Sequence, residues 1–177
     1  HDAVHDNLTG LPNRELFMNR LETIISIART EEKIRPTVFV IDIDRFKHVN
    51  DGLGISAGDT ILLTVARRLH RLLKPKDSLS RFSGDQFALM LLSEQDPARI
   101  ASVAEAIKRA ISAPITFAKR EIVLTASIGL ITWTTDQASA GDLVKDAELA
   151  MYQAKRFGGD RIEPFRPAFR TVGTDRL

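Results

Sequence analysis

The sequence predicts an α+β fold in which helices flank a mainly antiparallel sheet built on a ferredoxin-like βαββαβ unit. Three observations lead there. Amphipathic stretches at helical spacing alternate with short apolar runs in the order α-β-α-β-β-α-β-β-α-β. One run, Thr37-Val38-Phe39-Val40-Ile41, is β-branched and aromatic without polar alternation, the pattern of a central strand covered on both faces. A hairpin signal, Arg81-Phe82-Ser83-Gly84-Asp85-Gln86-Phe87, falls where such a unit joins its two middle strands.

The elements follow in order. The stretch from Asn7 to Pro12 is turn-rich, and Asn13 suits the N-cap of a helix over 14–29, with Leu16, Phe17, Leu21, Ile24, Ile25 and Ala28 on one stripe. Pro36 restarts the chain for the first strand, which ends in Asp42-Ile43-Asp44. Acidic residues at the carboxyl edge of a sheet lie where ligands of α/β folds bind; Asp44 equally suits a cap for a short turn over 45–49. Residues 50–54 read as a loop. A second helix over 57–73 turns Ile61, Leu62, Val65, Leu69, Leu72 and Leu73 inward and Arg67, Arg68, Arg71 and Lys74 outward, a basic face of the kind that is ordinarily solvated. Asp59 sits in its first turn, where a carboxylate favours the helix dipole. After Pro75, strands over 77–82 and 87–92 flank Ser83-Gly84-Asp85, which supplies left-handed backbone and local hydrogen bonds for a tight turn. Asp96-Pro97 starts a third helix reaching 112. Segments 115–117 and 122–132 read as a second hairpin around 118–121. Ser139 opens a last helix through Lys155, closed by Gly158-Gly159, and 161–163 forms a short final strand. The tail after Pro164 shows no periodicity and is expected to fray or to lead onward.

A chain of 177 residues with 44% hydrophobic residues suffices for one sizeable core. Its 25 Lys and Arg against 23 Asp and Glu leave a net charge of +2, too small to imply a nucleic-acid partner. Cysteine is absent, so disulfides and thiolate metal sites are excluded. No apolar run approaches the roughly 20 residues that span a bilayer, and the first residues resemble no signal peptide. The chain starts without methionine and reads as a segment of a longer protein.

In a βαββαβ unit the first strand neighbours the central hairpin, which would bring Asp42 close to Asp85. Two hard carboxylates with room for water suit Mg²⁺ or Mn²⁺, which bind one or two carboxylates together with substrate phosphates. Lys47, one helical turn beyond Asp42, and the amides starting that turn offer phosphate contacts. A lone Gly-Asp turn would be an ordinary solvated hairpin. Its setting makes it a candidate metal-nucleotide site.

Together these residues resemble the GGDEF domain, the family of diguanylate cyclases. The similarity runs from Asp6 to about Phe165. It comprises Asp6-Asn7-Leu8-Thr9-Gly10-Leu11-Pro12-Asn13-Arg14, Asp42-Ile43-Asp44-Arg45-Phe46-Lys47 with Asn50-Asp51, Gly58-Asp59, the hairpin Ser83-Gly84-Asp85-Gln86-Phe87, Ala126-Ser127-Ile128-Gly129, and Met151-Tyr152-Gln153-Ala154-Lys155. The resemblance implies a nucleotidyl-cyclase-like sandwich over 13–165, with 1–12 as a leading segment and 166–177 as a tail or linker. Domains of this kind bind GTP, and two of them facing each other form cyclic di-GMP and pyrophosphate.

By resemblance, the metal ligands are the Asp42 side chain, the Ile43 carbonyl and Asp85. Asn50 and Asp59 match residues that read the guanine edge, and Lys47 and Lys155 match phosphate contacts, with Phe46 and Gly84 completing the nucleotide set. Asp85, Gln86 and Asp42 occupy the catalytic positions. An inhibitory site for cyclic di-GMP would involve Lys74 and Asp77. Two departures, Gln86 and Gly159, argue for a degenerate domain that binds GTP and Mg²⁺ and regulates a neighbour such as an EAL phosphodiesterase, and a third, Lys74, for a weak or absent inhibitory site. Gln86 replaces a carboxylate and can neither supply charge nor accept a proton as one does. Gly159 replaces a phosphate-binding arginine, and Lys74 replaces an arginine whose planar fork engages two acceptors. An active cyclase working as a homodimer is the second reading, and a structural dimerisation module the third. The resemblance also implies flanking sensor and EAL domains and a cytoplasmic location for this domain, the parent protein being free to carry a membrane anchor.

Overall fold

The computed structural model describes residues 3–135 and 139–171. The helices are α1 (Arg14–Ala28), α2 (Phe46–Leu53), α3 (Ile55–Arg71), α4 (Pro97–Ser112) and α5 (Ala140–Arg156). The strands are β1 (Thr37–Ile43), β2 (Ser78–Ser83), β3 (Gln86–Leu91), β4 (Ile115–Phe117), β5 (Arg120–Ile122), β6 (Ala126–Thr132) and β7 (Arg161–Pro164). The main sheet runs β2-β3-β1-β6-β7. Its first four strands are antiparallel in the order of a βαββαβ unit, and β7 joins parallel to β6.

Strand β1 lies at the centre, and all seven of its residues are buried. The pleat sends Phe39, Ile41 and Ile43 into a core shared with α3 and α4, and Val38 and Val40 into a second core shared with α1 and α5. This explains the unbroken apolar run: each residue has a protein layer to enter, and a fully buried Val, Ile or Phe side chain contributes about 1.5–3 kcal/mol. Helix α5 lies so close on β6 that a Cβ at Gly129 would stand 2.2 Å from the Met151 backbone nitrogen.

Four local expectations are corrected. Residues 46–53 form a helix, because Phe46 enters the core and Val49 and Leu53 follow it along the same stripe. The segment 115–132 is not one hairpin. Strands β4 and β5 pair in a separate two-stranded sheet, the chain breaks at 123–125, and β6 starts anew against β1. Arg68 is not a solvated member of a basic face. Its guanidinium donates to the carbonyls of Ala110, Ala113 and Pro114 at 2.6–3.1 Å, closing the open end of α4. The described part of the tail is packed: Phe165 N–H bonds to the Leu130 carbonyl at 2.8 Å, and Phe169 is 3% exposed. Arg170 grips the buried Asp146 of α5 through two bonds of 2.7 and 3.1 Å. Residues 1–2 and 172–177 of the leading segment and tail lie outside the described residues.

Candidate functional site

The end of β1 is where the chemistry-bearing residues meet. Asp42 pairs in register with Gln86 of β3 on one side and Ser127 of β6 on the other. The Gly84-Asp85 tip is docked there by the Ile43 N–H, which donates to the Asp85 carbonyl at 3.1 Å. Asp42 is 9% exposed, and its Oδ1 is buried with no hydrogen-bond donor. Burial first, and then Asp85, close enough to share a proton with it, push the Asp42 carboxyl up to about 7; Lys155 partly offsets both. Lys155, reaching in from the last turn of α5, has its Nζ 3.3 Å from Asp42 Oδ2.

Two acceptors that face each other in a buried place require a proton or a cation between them. Asp42 and Asp85 bring together hard carboxylate oxygens of the kind that suit Mg²⁺ or Mn²⁺, so the residues present fit such an ion. Among the described residues no cluster of three or more His, Cys, Asp and Glu side chains could hold a metal. An ion at Asp42 and Asp85 would take its remaining ligands from water or phosphate.

A second group forms where α2 meets α3. Gly54, at φ +92°, joins the two helices, and Asn50 of α2 points at Gly58 of α3. A Cβ at Gly58 would fall 1.7 Å from Asn50 Oδ1, so the amide occupies space that only glycine leaves open. That oxygen is buried and has no donor. Asp59 follows Gly58, half-buried on α3, and Lys47 is exposed on the first turn of α2. Phe46 is 6% exposed within the core, so it seats α2 and presents no face to a ligand. Asp44 does not cap α2, whose N-cap Arg45 is left-handed and makes no side-chain cap bond. It turns instead to Thr125, Ser127 and Asp160.

The leading segment is tied to the hairpin. Arg81 donates to both Asp6 oxygens at 3.0 and 3.2 Å and to the Gly84 carbonyl at 3.0 Å. Burial acts to raise the Asp6 carboxyl, but hydrogen bonds from Thr9 and Arg81 hold it below the usual carboxylate range. Lys74 and Asp77, the residues expected at an inhibitory site, both make local contacts. Asp77 accepts from the backbone N–H groups of Lys74, Leu92 and Ser93 and from the Ser93 hydroxyl. Lys74 Nζ lies 3.7 Å from Glu94.

The structure thus gathers Asp42, Asp85, Gln86 and Lys155 at one sheet edge and Asn50 with Gly58 and Asp59 at the neighbouring helix joint. Sequence reasoning missed Asp44 as an organiser and Gly58 as the space for Asn50. The adjacency of Gly58 to Asp59 was the available signal for the latter.

Comparison with known proteins decides the family. The model of the GGDEF family, described as "Diguanylate cyclase, GGDEF domain", matches residues 3–161. The chain belongs to the GGDEF family. This GGDEF domain is 39% identical over 156 residues to the bifunctional diguanylate cyclase/cyclic di-GMP phosphodiesterase MucR of Pseudomonas aeruginosa, covering 88% of the chain and 22% of that protein. It is 38% identical over 157 residues to the diguanylate cyclase TpbB of the same species, covering 88% of the chain and 36% of TpbB. The chain therefore spans between about a fifth and just over a third of these curated relatives. Among solved structures, the GGDEF-only form of P. aeruginosa TpbB superposes with a TM-score of 0.90 at 33% identity, covering 96% of this chain and 99% of that one. The GGDEF domain of DgcB from Caulobacter crescentus, solved in complex with c-di-GMP, gives 0.84 at 28% identity, covering 93% and 96%. Among the described residues, no helix of this GGDEF domain is long and apolar enough to cross a membrane.

Proposed function

We propose that this GGDEF domain serves cyclic di-GMP signalling in the cytoplasm by binding GTP together with Mg²⁺ or Mn²⁺ at the end of β1, and that it regulates a neighbouring domain more than it turns GTP over. One observation carries the reading: the buried Asp42 carboxyl group beside Asp85, its Oδ1 without a donor and its Oδ2 3.3 Å from Lys155 Nζ. Asp42, Asp85 and the Ile43 carbonyl hold the ion, which when bound neutralises phosphate charge. Lys155 and Lys47 bring ammonium groups to the phosphates, and Asn50 and Asp59 present an amide and a carboxylate to the guanine edge.

Catalysis is weakened at Gln86, the register partner of Asp42, because a neutral amide adds no negative charge to the ion site and takes up no proton. Gly159 brings no side chain to the phosphates. Feedback by cyclic di-GMP at Lys74 and Asp77 is weak, since four donors already occupy the Asp77 oxygens. In this reading the domain sits beside an EAL phosphodiesterase and a sensor, and the pairing of cyclase and phosphodiesterase activities in the name of MucR supports the first of these neighbours. A second reading, an active cyclase in a homodimer, is favoured by the intact Asp42, Asp85 and Lys155 cluster.

The test is to incubate the purified chain with GTP and Mg²⁺ or Mn²⁺, measuring binding by calorimetry and products by nucleotide chromatography. The expected result is cation-dependent GTP binding with little or no cyclic di-GMP. Product that disappears in Asp85→Ala would favour the active cyclase, and absence of both binding and product would overturn both readings.

A further inference from the structure

Asp44 is left without a task by the metal and nucleotide set, yet it is the most fully held carboxylate at the end of β1. Its Oδ1 accepts from the Ser127 hydroxyl at 2.7 Å, and its Oδ2 accepts from the Thr125 hydroxyl at 2.7 Å and the Asp160 N–H at 2.8 Å. Its own N–H donates to the Thr125 carbonyl at 2.9 Å. These bonds join the end of β1 to the start of β6 and to the turn between α5 and β7. The space around it is tight: Gly159 sits at φ +75°, and a Cβ there would stand 2.9 Å from Asp44 Oδ2.

Lys155 Nζ lies between two carboxylates, 3.3 Å from Asp42 Oδ2 and 4.0 Å from Asp44 Oδ1. The two differ in kind. Asp42 has an oxygen free of donors and open to an ion, whereas the Asp44 carboxylate is fixed by three donors. A lysine ammonium on a flexible four-carbon stem stays where its counter-charge stays. Once a divalent cation shares the charge of Asp42, that residue attracts the ammonium less.

We propose that Asp44 is a positioning residue for Lys155, a fixed counter-charge that keeps the ammonium at the end of β1 when a divalent cation occupies Asp42, so that the lysine is directed to phosphate instead of being released to solvent. The contact itself is independent of the GTP-binding reading; its consequence for phosphate rests on that reading.

The test uses Asp44→Asn, which preserves shape and one accepting oxygen, together with Lys155→Ala and the double variant, all checked for cooperative melting. The first measurement needs no nucleotide: the rate at which acetic anhydride labels Lys155 in saturating Mg²⁺, relative to the exposed Lys119. Without the fixed counter-charge the side chain swings away from the end of β1 into solvent, and Lys155 labelling in Asp44→Asn is expected to rise about three- to tenfold. An unchanged rate overturns the proposal. The second is GTP affinity in Mg²⁺, expected to fall about tenfold in Asp44→Asn but less than about twofold when the same change is made in Lys155→Ala. Equal losses in both backgrounds would mean that Asp44 acts on the fold alone, and would overturn it too. A parent chain that binds no GTP would remove the nucleotide reading, while the labelling rate still decides the role of Asp44.

Discussion

Gly58→Ala separates the guanine-reading group from the fold. The added methyl would arrive 1.7 Å from Asn50 Oδ1, well inside any allowed contact, so the amide must leave its seat. The effect on stability is small. Alanine in place of a helical glycine gains about 1 kcal/mol, and the displaced oxygen has no protein donor to lose. The effect on binding is large. If Asn50 hydrogen-bonds the guanine edge, its loss from a buried site costs about 1–3 kcal/mol, a fall in affinity of roughly 5- to 150-fold. Affinity for ATP should hardly change, because a purine lacking the guanine edge never made the bond. Calorimetric titration with GTP and ATP in Mg²⁺, beside thermal melting, checks all three. A variant that retains both its GTP affinity and its preference over ATP would refute the assignment of Asn50.

Two further outcomes follow from the site and the packing beneath it. The folded chain holds a proton on Asp42 up to about pH 7 against an ordinary carboxyl value of 3.8, so this group's contribution to stability is fully present below about 3.8 and is lost as pH rises through 7. Asp42→Asn is therefore expected to raise the melting temperature by a few degrees at about pH 8, to change it little near pH 4, and to abolish the stabilisation that Mg²⁺ gives the parent chain at the higher pH; lower melting at pH 8 would contradict the burial argument. Gly129→Ala is expected to cost about 3 kcal/mol in urea unfolding, the upper end of the range for overpacking, because its Cβ would meet the backbone of α5 at Met151 N and Ala147 O, which cannot rotate away.

Much of the architecture was readable because it is set by local pattern. Thr37–Ile43 had to be a central strand, since only a position between two cores accepts residues without polar alternation. The hairpin was legible from turn chemistry at Ser83-Gly84-Asp85, and the structure keeps Gly84 at positive φ. Helix α2 was lost because Asn50-Asp51-Gly52 carries turn residues; the spacing of Phe46, Val49 and Leu53 was the stronger signal, and burial of Phe46 decided it. Asp44 could not be read at all. Its partners Thr125, Ser127 and Asp160 lie 81, 83 and 116 residues away, and nothing near Asp44 announces a bond made only when three distant segments converge. The pairing of Asn50 with the bare face of Gly58 was hidden for a related reason: it depends on the angle at which two helices meet.

The clasp between Arg170 and Asp146 fixes where this domain can be cut. A chain ended at 165 would keep α1–α5 and β1–β7, yet it would strip the guanidinium from a carboxylate that is 6% exposed and uncover the seat of Phe169. A buried carboxylate stripped of its partner is strongly destabilising where it sits, and here it sits on α5, whose far end delivers Lys155 to Asp42. Domain dissections and fusions that respect the last strand alone would thus alter the very lysine they were made to study; a cut that keeps the clasp retains Arg170.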